Sequence, residues 1–97
     1  MDARARQALR IIRRCMAQRR FGVLPHFRKR MARRGLFWTD VQAVLDDPSD
    51  VRSGGRDRFF RPKWLVAGVA ADGEDIVLVC VLDVDEHGDL TVYITIY

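Results

Sequence analysis

The chain has 97 residues, of which 48% are hydrophobic and 31% are charged, with only seven glycines and three prolines. This length and composition indicate a single folded domain over residues 1–97 and exclude a disordered or fibrous chain. No apolar run reaches the roughly 18 residues that a membrane-spanning helix needs, so we expect a cytoplasmic protein with no membrane partner.

The charges divide the chain into two unlike parts. All seventeen basic side chains lie in residues 1–63 together with six acids, whereas residues 64–97 carry seven acids and no basic residue. Residues 3–39 hold twelve basic residues and no acid. A field of one sign over such a length attracts a polyanion such as RNA, or an acidic protein. The alternative is a solvated, arginine-rich helical face.

The first predicted element is an amphipathic helix over residues 3–20. Its apolar residues recur at three- and four-residue spacing, with Asp2 as the N-cap and Gly22 as the stop. Cys15 in this helix and Cys80 in a later strand are predicted to be buried thiols, because no Cys/His spacing suits zinc. We therefore expect no metal site and no cofactor.

Two shorter helices are predicted next. The second covers residues 25–35, since proline is tolerated in a first turn, and it directs Phe27 towards the core. The third opens with a capping box in which Thr39 is the N-cap and Gln42 reaches back, and it closes before Pro48.

After residue 49 the pattern changes to that of β-structure. Strands are predicted over residues 57–61, 64–70, 76–83 and 90–97, separated by glycine-containing turns. Short connections favour an antiparallel meander. Residues 76–82 are apolar on both faces, so we place this strand at the centre of the sheet with helices on at least one face. Thr95 and Tyr97 are predicted to share the polar face of the last strand. The predicted fold is therefore α+β, with N-terminal helices packed on a twisted antiparallel sheet.

The second helix carries the most informative polar pattern. Helical spacing places His26, Arg30 and either Arg33 or Arg34 in one row. An imidazole can transfer protons at neutral pH, and guanidinium groups can hold a phosphate and stabilise a pentacovalent transition state. These are the groups that a metal-free ribonuclease needs. A histidine beside arginines is also common as an ordinary boundary residue, so both interpretations stay open.

A second basic set flanks an aromatic pair, in the order Arg56, Arg58, Phe59, Phe60, Arg61 and Lys63. Strand alternation would place Arg56, Arg58 and Phe60 on one face and Phe59 and Arg61 on the other. Basic and aromatic side chains together can bind phosphates and stack bases, as single-stranded nucleic acid requires. The alternative is a core aromatic residue between solvated charges on an edge strand.

The motif His26-x3-Arg30-Met31-x2-Arg34-Gly35, with Arg58-Phe59 and the terminal strand 92–97 behind it, resembles a small bacterial domain family. That family is grouped with the RelE/ParE/BrnT-type toxins, and the similarity extends over residues 9–97. The resemblance implies helices packed on a twisted antiparallel sheet, a basic cleft between them, and often endoribonuclease activity countered by an antitoxin. Some members of the superfamily cleave mRNA, others poison a topoisomerase, and some bind without catalysis.

The predicted function is accordingly a toxin-type, metal-independent endoribonuclease in which an RNA 2′-hydroxyl attacks the adjacent phosphate. His26 would be the general acid or base, Arg30 and Arg58 would neutralise the phosphate, and Tyr97 or Thr95 would orient or protonate the leaving oxygen. The predicted RNA-binding residues are Arg34, Arg56, Arg58, Arg61, Lys63 and Thr95. The predicted partners are RNA and an acidic antitoxin protein. A non-catalytic module that binds nucleic acid or an acidic protein, and a toxin acting on a protein target, are the alternatives.

Overall fold

The computed structural model describes all 97 residues and contains three helices and five strands. In chain order these are α1 (Ala3–Ala17), β1 (Phe21–Val23), α2 (Pro25–Arg34), α3 (Trp38–Asp46), β2 (Asp50–Arg56), β3 (Pro62–Val69), β4 (Asp75–Asp85) and β5 (Gly88–Ile96). The predicted α+β class is confirmed, and so is each of the three helices.

The five strands form one sheet in the order β1-β5-β4-β3-β2. Strands β2 to β5 make the predicted antiparallel meander, with the apolar strand β4 at its centre. The prediction of a wholly antiparallel sheet is wrong, because β1 pairs parallel with β5. The three residues of β1 are too few to give a strand pattern, and their pairing depends on a partner about seventy residues away in the chain.

The helices cover one face of the sheet only. The buried cluster that joins the two layers takes Trp64, Val66, Leu78 and Cys80 from β3 and β4, together with Tyr93 from β5. The residues that alternate with them on β3 and β4 do not belong to this cluster. The opposite face of the sheet is therefore free of helices.

The first helix ends earlier than its pattern predicts. The Asp2 carboxylate accepts a hydrogen bond from the Ala5 amide at 2.7 Å, which confirms the predicted N-cap. The helix stops at Ala17, because Arg19 adopts a left-handed conformation with φ 56°. Gly22 is not the stop and lies in β1 instead.

The predicted end of α2 is confirmed, whereas the predicted start of α3 is wrong. Gly35 ends α2 in the left-handed conformation that favours glycine, with φ 63°. Thr39 is not the N-cap of α3; the cap is Phe37, whose amide donates to the Asp40 carboxylate at 2.7 Å. Asp40 also accepts from the Ala71 amide at 3.0 Å, so this buried carboxylate joins α3 to the β3–β4 turn.

The predicted strand over residues 57–61 is wrong, because that segment is the turn between β2 and β3. One Asp57 carboxylate oxygen accepts the amides of Phe59 and Arg61, each at 2.9 Å, and this pulls the chain into a loop. The alternating charges and aromatic residues imitate a strand, but the side-chain hydrogen bonds decide the conformation. The strand itself precedes the loop, at Asp50–Arg56.

A bulge in β5 changes which of its side chains face the helices. Tyr93 lies opposite Cys80 but Thr95 lies opposite Val79, so Ile94 is an extra residue between them. Thr95 and Tyr97 do share a face, but Thr95 is buried and the face is not a polar one. Tyr93 is completely buried on the other face, and burial raises the pKa of its hydroxyl.

Both cysteines are buried and free, as predicted. Burial raises the pKa of the Cys80 thiol. A protonated thiol in an apolar core is unreactive, so this cysteine acts as a packing residue.

Candidate nucleic-acid interface

A groove of about 380 Å³ opens on the helix-free face of the sheet. Its apolar lining comes from Leu24, between β1 and α2, and from Val81 and Ile94 on neighbouring strands. The other lining residues come from β2, β3 and the loop between them: Arg56, Asp57, Arg58, Phe59, Arg61 and Lys63. Four cations and one carboxylate surround the groove, so it carries a net positive charge.

The loop over residues 57–61 is held rigidly against the sheet. Arg61 donates from Nε to Asp57 at 2.8 Å and from Nη1 to Asp83 of β4 at 3.0 Å. Desolvation opposes ionisation of Asp57, but hydrogen bonds from Arg61 and the Phe59 amide outweigh it, and the pKa of Asp57 is lowered. The Val84 amide and Arg61 lower the pKa of Asp83 in the same way. Hydrogen bonds to Asp57 and Asp83 raise the pKa of Arg61, which is therefore a structural ion-pair partner.

Three cations of the groove have no carboxylate partner in the fold. The Arg56 guanidinium donates to the Phe60 carbonyl at 2.8 Å, and that of Arg58 lies 4.9 Å from the centre of the Phe59 ring. Lys63 forms no ion pair, and its backbone lies opposite that of Val81 in the sheet. Their charges are not balanced within the chain. Arg56, Arg58 and Lys63 are the groups that an anionic ligand in this groove would meet.

Two phenylalanines of the loop are exposed beside these cations. Phe59 is 62% exposed and lies under the guanidinium groups of Arg58 and Arg61. Phe60 is 79% exposed and has a positive φ of 61°. The predicted separation of these residues onto alternate strand faces is wrong, because the segment is a loop and not a strand.

The predicted row on α2 lies along the end of β5. Arg30 donates from Nε to the Ile96 carbonyl at 3.0 Å, which places it next to Tyr97. Arg34 forms an ion pair with Glu74, so its charge is already balanced. His26 is exposed in the first turn of α2, two residues after Leu24, and it does not line the groove.

The predicted residues on β5 have different environments. Tyr97 is 61% exposed and lies opposite Val77, on the same face of the sheet as the groove. Val77 and Val81 are four residues apart on β4, so Tyr97 is roughly 13 Å along the strand direction from the groove. Thr95 lies between them but is buried, and its hydroxyl has no hydrogen-bond partner. The structure thus brings Arg56, Arg58, Arg61 and Lys63 together and leaves His26 and Tyr97 at the side.

Two of the five arginines of α1 tie this helix to the rest of the fold. Arg13 donates to the carbonyls of Leu45 and Asp46 at 2.6 and 3.0 Å, at the C-terminal end of α3, where a cation is favourable. Arg14 pairs with Asp89 at 2.6 Å, which ties α1 to β5.

Sequence reasoning missed the carboxylates and apolar residues of the interface. Asp57 and Asp83 order the loop, and Leu24, Val81 and Ile94 supply the apolar lining. An aspartate two residues before the aromatic pair is a turn signal that could have identified the loop. The apolar residues give no such signal, since their place depends on which face the helices leave free.

Helices on one face of a mixed sheet and a basic groove on the other define a small α+β domain with an anion-attracting surface. The chain belongs to the family described as Domain of unknown function (DUF4258), whose sequence model matches residues 23–97. The matched part begins after α1 and includes every residue that lines the groove. No curated protein and no solved structure matches the chain. None of its helices has both the length and the apolar character needed to cross a membrane.

Proposed function

We propose that this domain is a toxin-type RNA-binding protein of the cytoplasm that holds single-stranded RNA in the groove. The observation that carries the proposal is the convergence of Arg56, Arg58 and Lys63, none with a carboxylate partner, on a groove that also has an apolar lining and the exposed ring of Phe59. The exposed ring of Phe60 follows it in the same loop. Cations bind the backbone phosphates, while aromatic and apolar surfaces accept bases that are not stacked in a duplex.

Cleavage of the bound RNA is the second candidate function. Its basis is the hydrogen bond from Arg30 to the Ile96 carbonyl, which fixes α2 beside Tyr97, together with Leu24, which lines the groove two residues before His26. RNA that extends from the groove along α2 would pass the His26 imidazole, the Arg30 guanidinium and the Tyr97 phenol. In such a site His26 takes the proton of the 2′-hydroxyl, Arg30 stabilises the phosphorane charge, and Tyr97 protonates the leaving oxygen. We favour binding over cleavage because none of the groove-lining residues is a histidine or a tyrosine.

Binding is tested with the purified protein and fluorescent single-stranded RNA, the matching duplex RNA and an acidic peptide. We expect the single strand to bind most tightly, with an affinity that falls steeply as salt rises. If the acidic peptide binds more tightly than RNA at every salt concentration, the partner is an acidic protein and not RNA. Equal affinity for duplex and single-stranded RNA would show that the aromatic residues do not contribute to recognition.

Cleavage is tested on the same RNA with the wild type, with His26→Ala, and with His87→Ala as the matched control. His87 is the only other histidine and lies exposed in the β4–β5 turn, outside the groove. If the protein is an endoribonuclease, His26→Ala abolishes cleavage while the fold and the RNA affinity stay unchanged. If the wild type leaves the RNA intact, only the binding function remains. If both variants lose cleavage activity equally, His26 has no specific role in the chemistry.

The toxin context is tested by inducing the gene in a bacterium and following growth and total RNA. Growth arrest with fragmented RNA supports the endoribonuclease, whereas arrest with intact RNA indicates a protein target or simple sequestration of RNA. A small acidic protein encoded beside the gene should restore growth if it is the antitoxin. Unaffected growth at high expression would contradict the toxin proposal.

A further inference from the structure

Phe60 is the most exposed large apolar side chain of the protein, at 79%, and it has a backbone conformation that phenylalanine rarely adopts. A positive φ brings the Cβ atom of an L-residue too close to the backbone and therefore costs free energy. The exposed ring recovers little of that cost by burial. Two unfavourable features at one residue point to a use outside the fold.

The surrounding loop holds Phe60 in this conformation. The Phe60 amide donates to the Asp57 carbonyl at 3.0 Å, and its carbonyl accepts from Arg56 at 2.8 Å. The Asp57 carboxylate fixes the amides on both sides of it, those of Phe59 and Arg61. The backbone around Phe60 is therefore ordered before any ligand arrives, and ligand binding need not order it.

The neighbouring ring is already engaged, whereas that of Phe60 is not. Phe59 has the guanidinium groups of Arg58 and Arg61 at 4.9 and 5.2 Å from its centre. Phe60 has no aromatic or cation–π partner in the structure. Its faces are open to solvent, next to the unbalanced cation Arg56 at the groove.

From this geometry we infer that Phe60 is a preorganised stacking platform for one unpaired RNA base, whose flanking phosphates lie on the cations of the groove. The inference rests on the proposed RNA-binding function and makes it more specific, because it names the contact that distinguishes unpaired bases from paired ones. A base inside a duplex already has two stacked neighbours and offers no face to the ring. Stacking on an aromatic side chain does not depend on the base, so little sequence preference is expected at this contact.

The experiment compares single-stranded RNA affinity by fluorescence anisotropy for the wild type and for Phe60→Leu, Phe60→Trp and Phe60→Gly. Phe37→Leu is the matched control, since Phe37 is 70% exposed but lies at the start of α3, outside the loop of residues 57–61. We expect Phe60→Leu to bind roughly five- to 150-fold more weakly, the range measured for the loss of one stacked base. Phe60→Trp should keep the affinity, and Phe37→Leu should bind like the wild type.

Phe60→Gly separates a binding role from a structural one. Glycine accepts the positive φ without strain, so this variant should melt at the same temperature as the wild type or higher while its RNA affinity falls. Wild-type affinity in Phe60→Leu, or equal losses in Phe60→Leu and Phe37→Leu, would overturn the inference and leave the RNA-binding function standing. If the wild type binds no RNA, the proposed function fails and the stacking platform fails with it.

Discussion

The dependence of RNA affinity on salt concentration should reflect the number of groove cations that have no carboxylate partner. Each phosphate that a protein neutralises on a single strand contributes about −0.7 to the slope of log affinity against log salt. Three such cations, Arg56, Arg58 and Lys63, therefore predict a slope of about −2, or roughly fifteen- to twentyfold weaker binding at 200 mM than at 50 mM KCl. The double variant Arg58→Gln with Lys63→Gln should retain a slope of about −0.7, or about a threefold loss over the same range.

The controls separate free cations from those that the fold has neutralised. Arg34 is paired with Glu74, so Arg34→Gln should leave the slope unchanged, as should Arg10→Gln on the helical side of the sheet. The assay is anisotropy of a labelled oligoribonucleotide titrated at five or six salt concentrations, with circular dichroism to confirm the fold of each variant. The reasoning is refuted if the double variant keeps the wild-type slope, or if Arg34→Gln flattens the slope as much as the double variant does.

Three further changes test the fold that positions the groove. Tyr93→Phe should raise the free energy of unfolding by about 1 kcal/mol in urea titrations, because the buried hydroxyl has no hydrogen-bond partner; a loss of that size would reveal a partner. Asp2→Ala should lower it by about 1 kcal/mol through loss of the α1 N-cap, and no change would mean that the end of the helix is frayed. The pKa values of Asp57 and Asp83 lie below the ordinary value of about 3.9, so their contribution is complete above that pH and is lost as the pH falls through the lowered values. The loss of stability between pH 7 and pH 3 should thus be smaller in Arg61→Gln than in the wild type, and an equal loss would exclude the ion pairs as its source.

The features that could be predicted from the sequence are those that one segment decides by itself. The apolar stripe of α1, the glycine stop of α2 at Gly35 and the doubly apolar strand β4 follow from local periodicity and backbone chemistry. The short strand β1 does not, because its three residues form a strand only through pairing with β5. The bulge at Ile94 is equally invisible, since it arises from the register of two strands and reverses the expected facing of the residues beyond it.

The candidate site shows the same division. The basic and aromatic residue types around position 59 were recognised in the sequence, but their arrangement was not. A strand and a loop give Phe59 and Phe60 different neighbours, and the hydrogen bonds of Asp57 decide between the two. The helix that carries His26, Arg30 and Arg34 could be predicted, yet helical spacing cannot tell that Arg34 is balanced by Glu74.

The reversal of charge at residue 63 has a structural consequence. Four of the seven acids beyond that residue form ion pairs with arginines that precede it: Glu74 with Arg34, Asp83 with Arg61, Asp85 with Arg20, and Asp89 with Arg14. Opposite charges on the two parts of the chain thus hold helices and loop to the sheet. The sequence asymmetry alone is therefore poor support for a polyanion ligand. Many other cations of the chain also lack an ion pair, so what distinguishes the groove is the combination of features there: Arg56, Arg58 and Lys63 lie together beside an apolar lining and the exposed ring of Phe59.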